Sequence, residues 1–116
     1  MKYVLKVIVL ENCPYSIAAA EMLTNYNIKF KKILVNQETK HKYKTEQIST
    51  FPQIYLINKD PENKQELLLG GYSNLEEIVN IMNSSTKLET IKNKLNKKYL
   101  LFDKKSILRI IEIFSH

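Results

Sequence analysis

One cysteine, one arginine, two glycines, three prolines and no tryptophan are all that these five residue types supply among 116 residues. A single sulfur, Cys13, excludes an intramolecular disulfide framework and makes a reducing compartment the default. Cys13 with His41 and His116 also falls short of a zinc ligand set. The lone arginine, Arg109, leaves little for bidentate phosphate or base recognition. The formal charge of +6 therefore reads as scattered, solvated lysines rather than a nucleic-acid face. Such a surface can still attract acidic protein partners. No apolar run is long enough to span a membrane, and Lys2 to Leu10 lacks the layout of a signal peptide. No repeat or low-complexity linker is visible, and a chain of this length buries one core and little more. Lysine, asparagine and isoleucine are abundant, a bias expected of an A/T-rich genome in a parasite, a low-GC bacterium or a large DNA virus. A cytoplasmic location, or a virion if the source is viral, fits that reading.

What is present centres on Cys13. Lys2 to Leu10 is nearly continuous in apolar residues and predicts a strand buried on both faces. Asn12-Cys13-Pro14-Tyr15-Ser16 follows it. Pro14 suits the first turn of a helix, where its missing N–H is no loss. Ile17, Ala20 and Leu23 then continue at three-residue spacing. The cysteine is thus expected at a helix start, whose free N–H groups favour a thiolate by roughly 0.3–1 kcal/mol. A lone cysteine is usually a small buried hydrophobe, but this strand–Cys-Pro–helix context favours a reactive thiol. Ser16 stands where a C-x-x-C motif would carry its second sulfur, so any exchange chemistry must borrow a sulfur from outside the chain.

Two further segments share this character. In Thr50-Phe51-Pro52-Gln53-Ile54-Tyr55 a proline stands directly before a predicted strand, Ile54 to Ile57, where its missing donor is tolerated. Gly70-Gly71-Tyr72-Ser73-Asn74-Leu75-Glu76 follows another predicted strand, Glu66 to Leu69. Ser73 and Glu76 have capping-box spacing, and the paired glycines allow close approach of a ligand to backbone.

Taken together and in this order, Cys13-Pro14-Tyr15-Ser16, Thr50-Phe51-Pro52 and Gly70-Gly71-Tyr72-Ser73-Asn74 resemble the glutaredoxin family over about Lys2 to Asn83. The resemblance implies an α/β, thioredoxin-like fold: a four-stranded mixed sheet flanked by helices. It implies a cis Pro52 beside Cys13, a Phe51 backbone that pairs with glutathione like an added strand, and a glycine-rich helix start that holds the γ-glutamyl carboxylate. Tyr15, Thr50, Phe51, Pro52, Gly71, Tyr72, Ser73 and Asn74 then become the expected glutathione contacts, and Cys13 and Ser16 the catalytic pair. Packing for Tyr15 and Phe51, and capping for Ser73, remain compatible with those roles.

The chain departs from the family pattern at three places. Leu10 stands where a lysine usually steadies the thiolate and a glutathione carboxylate, and Ile48 where a basic residue is common. Ser73-Asn74 replaces a frequent acidic pair. Each lost charge-assisted hydrogen bond to ligand is worth roughly 1.5–3 kcal/mol, so glutathione should bind more weakly unless Lys40, Lys42, Lys44 or Gln47 substitutes.

Residues 84–116 lie beyond the resemblance and read as a helical extension to a domain spanning 1–83. Ser84-Ser85-Thr86 marks a break, and Thr86 with Glu89 repeats the capping-box spacing. Leu88, Ile91 and Leu95 form one stripe. Asp103 is placed to cap a last helix bearing Ile107, Leu108, Ile110, Ile111 and Phe114. Isolated helices of this length are marginal, so that stripe must be buried, on its own domain or in a homodimer.

The function this implies is glutathione-dependent thiol–disulfide exchange by a single-cysteine cycle, acting on glutathionylated or disulfide-bearing proteins, with no metal, no membrane and no specific nucleic acid. Two alternatives remain. One is an iron–sulfur carrier ligated by two protomers and two glutathiones, although such members mostly carry Gly-Phe after the cysteine. The other is a catalytically weak binding or structural module.

Overall fold

Across its described residues the chain threads four strands and four α-helices in the order β1 (Tyr3–Leu10), α1 (Pro14–Asn25), β2 (Phe30–Val35), β3 (Gln53–Asn58), β4 (Gln65–Gly70), α2 (Tyr72–Asn83), α3 (Leu88–Lys98) and α4 (Lys104–Phe114), with a 3₁₀ turn at Lys40–Tyr43. This computed structural model describes residues 3–62 and 64–115. Lys2 and His116, which entered the expectations above, lie outside the described residues.

The strands form one mixed sheet in the order β2-β1-β3-β4. β1 runs parallel to β2, with Leu5 opposite Phe30 and Ile8 opposite Ile33. It runs antiparallel to β3, with Leu5 opposite Leu56 and Val7 opposite Ile54. β4 closes the far edge antiparallel to β3. The thioredoxin-like architecture expected from the three motifs is what the chain adopts.

Strand alternation decides where the core sits. Leu5, Val7 and Val9 point to one face, joined there by Ile54, Leu56 and Leu69. Helix residues Ala19, Leu23, Leu75, Ile78, Ile91, Leu95, Ile107, Ile110 and Phe114 complete the same cluster. The tail stripe is thus buried in the chain's own core, which also takes in Ile113. Leu108 is left partly exposed and Leu88 exposed. Tyr99 ties the tail to the sheet, donating from its hydroxyl to the Leu69 carbonyl at 2.7 Å. Arg109 lies over the Tyr3 ring at 5.3 Å. No described helix is long and apolar enough to cross a membrane.

Four local expectations need correction. β1 is not buried on both faces throughout: Val4 and Lys6 on the second face are only half-buried, although Ile8 is enclosed. The four helices all feed the cluster on the first face, which leaves part of the second uncovered. α1 buries Ser16, Ala19 and Leu23, while Ile17 is half exposed. The serine, not the isoleucine, faces inward. α2 starts at Tyr72, not after Ser73: Gly71 is its N-cap, and Asn74 does the capping. The Thr86–Glu89 box likewise does not form, because α3 is preceded by Lys87 at the N-cap with no side-chain cap. Asp103 does cap α4, accepting from the Ser106 N–H at 2.8 Å.

Candidate active site

The end of β1 is the foundation. Beyond Leu10 the chain must reverse into α1 within three residues, and Asn12 supplies the turn by adopting a left-handed φ of 62°. Asparagine tolerates that region better than most side chains. The Cys13 N–H closes the turn on the Leu10 carbonyl at 3.2 Å, and the Glu11 N–H bonds the Val35 carbonyl at 2.8 Å. Cys13 becomes the N-cap of α1, with Pro14 behind it in the first turn. It is a free, partly exposed thiol.

Two sets of groups act on that thiol. Burial pushes its pKa up. Against this, the Ser16 backbone N–H, the Ser16 hydroxyl and the Tyr15 backbone N–H all favour the thiolate, and the net position lies below the ordinary thiol value. Ser16 is itself buried, at 1% exposure. Its Oγ accepts from the Leu10 N–H at 3.0 Å, which frees the hydroxyl proton to face the sulfur.

The segment before β3 comes up beside this turn. The Phe51–Pro52 peptide is cis, and the Phe51 carbonyl lies 3.9 Å from the Cys13 Sγ. Pro52 is buried and immediately precedes β3, where its missing donor is tolerated. The third segment arrives from β4. Gly70 takes a φ of +128°, and a Cβ there would collide with the Asn74 side chain. That side chain accepts from the Gly71 N–H at 3.0 Å. Only glycine permits both the backbone angle and the close seat of Asn74.

These segments bound a groove of about 590 Å³. Its walls contain Tyr15, Thr50, Phe51, Gly71, Tyr72, Ser73 and Asn74, which are all the expected ligand contacts except Pro52. Gln47, Ile48, Leu68 and Gly70 complete it. Tyr15 stands 64% exposed, its ring centroid 5.7 Å from that of Tyr72. Gly70 entered the sequence reading as half of the paired-glycine motif but not as an expected contact; Leu68 was not singled out, and the three consecutive leucines of β4 give no alternation that would mark it. Every lining side chain is uncharged. Of the candidate substitutes for the missing cations, Gln47 reaches the groove, and Lys40, Lys42 and Lys44 are not among the lining residues. Among the described residues, no three His, Cys, Asp or Glu side chains cluster as a metal site would require.

The family model described as Glutaredoxin matches residues 3–61, which contain both the Cys13 turn and the Phe51–Pro52 segment. A search of curated proteins finds no match. Among solved structures, the chain is similar to glutaredoxin 1 from Francisella tularensis, crystallised in complex with cacodylate. The two are 22% identical, with a TM-score of 0.55 over 72% of this chain and 99% of the other. At that identity the likeness bears on the fold alone.

Proposed function

Because this chain belongs to the glutaredoxin family, we propose that it is a glutathione-dependent thiol–disulfide oxidoreductase that works through Cys13 alone. The observation that carries this reading is the partly exposed Cys13 thiol at the N-cap of α1, held below its ordinary pKa beside an open groove. A thiolate, not a thiol, is the attacking species in disulfide exchange.

In the first step the Cys13 thiolate attacks the glutathione sulfur of a glutathionylated protein. The mixed disulfide breaks, the protein sulfur leaves as a thiolate that takes up a proton, and Cys13 is left disulfide-bonded to glutathione. In the second step the thiolate of another glutathione attacks the sulfur of that bound glutathione. Glutathione disulfide leaves and the Cys13 thiolate returns. In sum one free glutathione is consumed: the disulfide passes from the protein–glutathione pair to a glutathione–glutathione pair and the protein thiol is freed, so no second protein sulfur is needed. Ser16 stabilises the thiolate as attacking group and again as leaving group.

The groove would receive the tripeptide by backbone. The Phe51 segment offers an extended edge, and the free N–H groups of the first turn of α2 offer donors to a carboxylate. The Gly71 N–H is already taken by Asn74, so Tyr72, Ser73 and the Ser73 hydroxyl carry that task. With no cation in the walls, binding should be weak and turnover slow for the family. A reducing compartment suits the cycle. The glutaredoxin-like unit is assigned to residues 1–83, with 84–116 as a helical extension that fills its core.

The test is a glutathione-coupled assay on a glutathionylated substrate, comparing wild type with Cys13→Ser. Turnover that vanishes in the variant supports the reading. Equal rates in the two proteins, or no turnover in either, would overturn it.

A further inference from the structure

The second face of the sheet carries a surface the thiol chemistry does not use. Register places Ile57 between Val4 and Glu66, and Lys6 between Lys31 and Tyr55. Because the helices bury the Leu5–Val7–Val9 face, these residues have no helix over them. Between β2 and β3, where a crossing element could have covered them, the only helix is the 3₁₀ turn at Lys40–Tyr43. What remains is a groove of about 730 Å³ with Val4, Ile33 and Ile57 on its floor.

The rim has one sign. Lys6, Lys31, Lys59 and Lys64 surround the floor, against a single lining carboxylate, Glu66. That carboxylate is bonded by Lys6, whose ammonium also lies 5.1 Å from the Tyr55 ring centroid. Lys31, Lys59 and Lys64 are exposed and project their charge outward. A second copy of the same face would set these lysines against one another, which opposes self-association. A nucleic acid would meet the cations but gain little from the aliphatic floor, and no arginine lines the groove.

We propose that this face docks an acidic amphipathic helix of another protein. Its apolar side would lie across Val4, Ile33 and Ile57, and its carboxylates would meet Lys31, Lys59 and Lys64. Strand rise of about 3.3 Å per residue puts Val4 roughly 20 Å from the Cys13 end of β1. The docked helix therefore leaves the thiol free and holds the protein near a partner or substrate.

The probe is a fluorescein-labelled synthetic peptide, 18 residues long, with leucines on one helical face and glutamates flanking them. Its counterpart carries lysines in place of the glutamates. Fluorescence anisotropy on the full chain should show saturable binding of the acidic peptide, at least tenfold tighter than that of the basic one. Ile57→Asp and the double change Lys31→Glu with Lys64→Glu should each weaken it at least tenfold. The double variant lies on exposed positions, so it decides the matter even if Ile57→Asp fails to fold. Cys13→Ser should bind the peptide as wild type does, which separates this proposal from the redox reading. Absence of saturable binding, equal affinity for both peptides, indifference to the lysine changes, self-association through this face, or tighter binding of a single-stranded RNA oligonucleotide would each overturn it.

Discussion

Ser16→Ala separates the two jobs of one hydroxyl. The Ser16 Oγ accepts from the Leu10 N–H at 3.0 Å, and the same group is among those that hold the Cys13 thiol below its ordinary pKa. Alanine keeps the volume and the buried position but removes both bonds. The Leu10 N–H, partly shielded at the end of β1, loses its acceptor, which costs about 1–3 kcal/mol. For a domain of this size each kcal/mol moves the melting midpoint by roughly 4 °C, so the variant should melt roughly 4–12 °C lower. The thiol pKa should move up, towards its ordinary value, and alkylation at neutral pH should slow as the thiolate fraction falls. The pH dependence of stability follows with a definite sign. A depressed thiol pKa adds stability only where the thiolate exists. Wild type should therefore gain stability relative to Cys13→Ser as pH rises from the folded pKa to the unfolded one, and lose that gain as pH falls again. Ser16→Ala should flatten the gain. Iodoacetamide alkylation against pH, with thermal melts across the same range, measures both effects. An alkylation midpoint that stays put or falls would refute the assigned role of the hydroxyl, and an unchanged melt would refute the Leu10 account.

Leu10→Lys should place a cation at the end of β1, lower the Cys13 pKa further and raise glutathione turnover; if neither the alkylation midpoint nor kcat/KM responds, Leu10 does not face the site. Ile110→Ala empties a fully buried position and should cost about 2–5 kcal/mol, read from chemical denaturation, with Cys13 still reactive below the new transition. A cost under 0.5 kcal/mol would mean that α4 is not integral to the core. Gly70→Ala should destabilise by about 1–3 kcal/mol through its positive φ, and should lower glutathione affinity by pushing Asn74 off the Gly71 N–H. Calorimetric titration with oxidised glutathione would show whether the two effects travel together.

The segments that meet around the groove were more legible than the elements that carry them. Pro14 at a helix start, Pro52 before a strand and Gly70 at a positive φ each mark a backbone event that one residue type favours, so the sequence announces them. Gln47, Ile48 and the tyrosines fall into place because those events fix the segments that carry them. The helix starts were harder. Ser73 and Thr86 have capping chemistry and correct spacing, yet the turn after Gly70 begins α2 early and hands the cap to Asn74. Local pattern cannot weigh a backbone angle set by the preceding strand. The apolar stripes misled for a related reason: Ile17 and Leu88 fit a helical period, but the faces that sheet packing selects pass beside them. The half-open second face was illegible, since a strand such as β1 reads as continuously apolar whether or not a helix covers both its sides.

The tail raises a question of timing. α4 packs on β1 and α3, and Arg109 reaches back to Tyr3 at the start of the first strand. More than a hundred residues separate those partners in the chain. During synthesis β1, α1 and β2 emerge early, with an apolar surface that α2, α3 and α4 later complete. Contacts so distant in sequence are made slowly, so the nascent chain should depend on a holding chaperone until α4 is released. The folded protein should in turn show its slowest amide exchange in the two inner strands, β1 and β3.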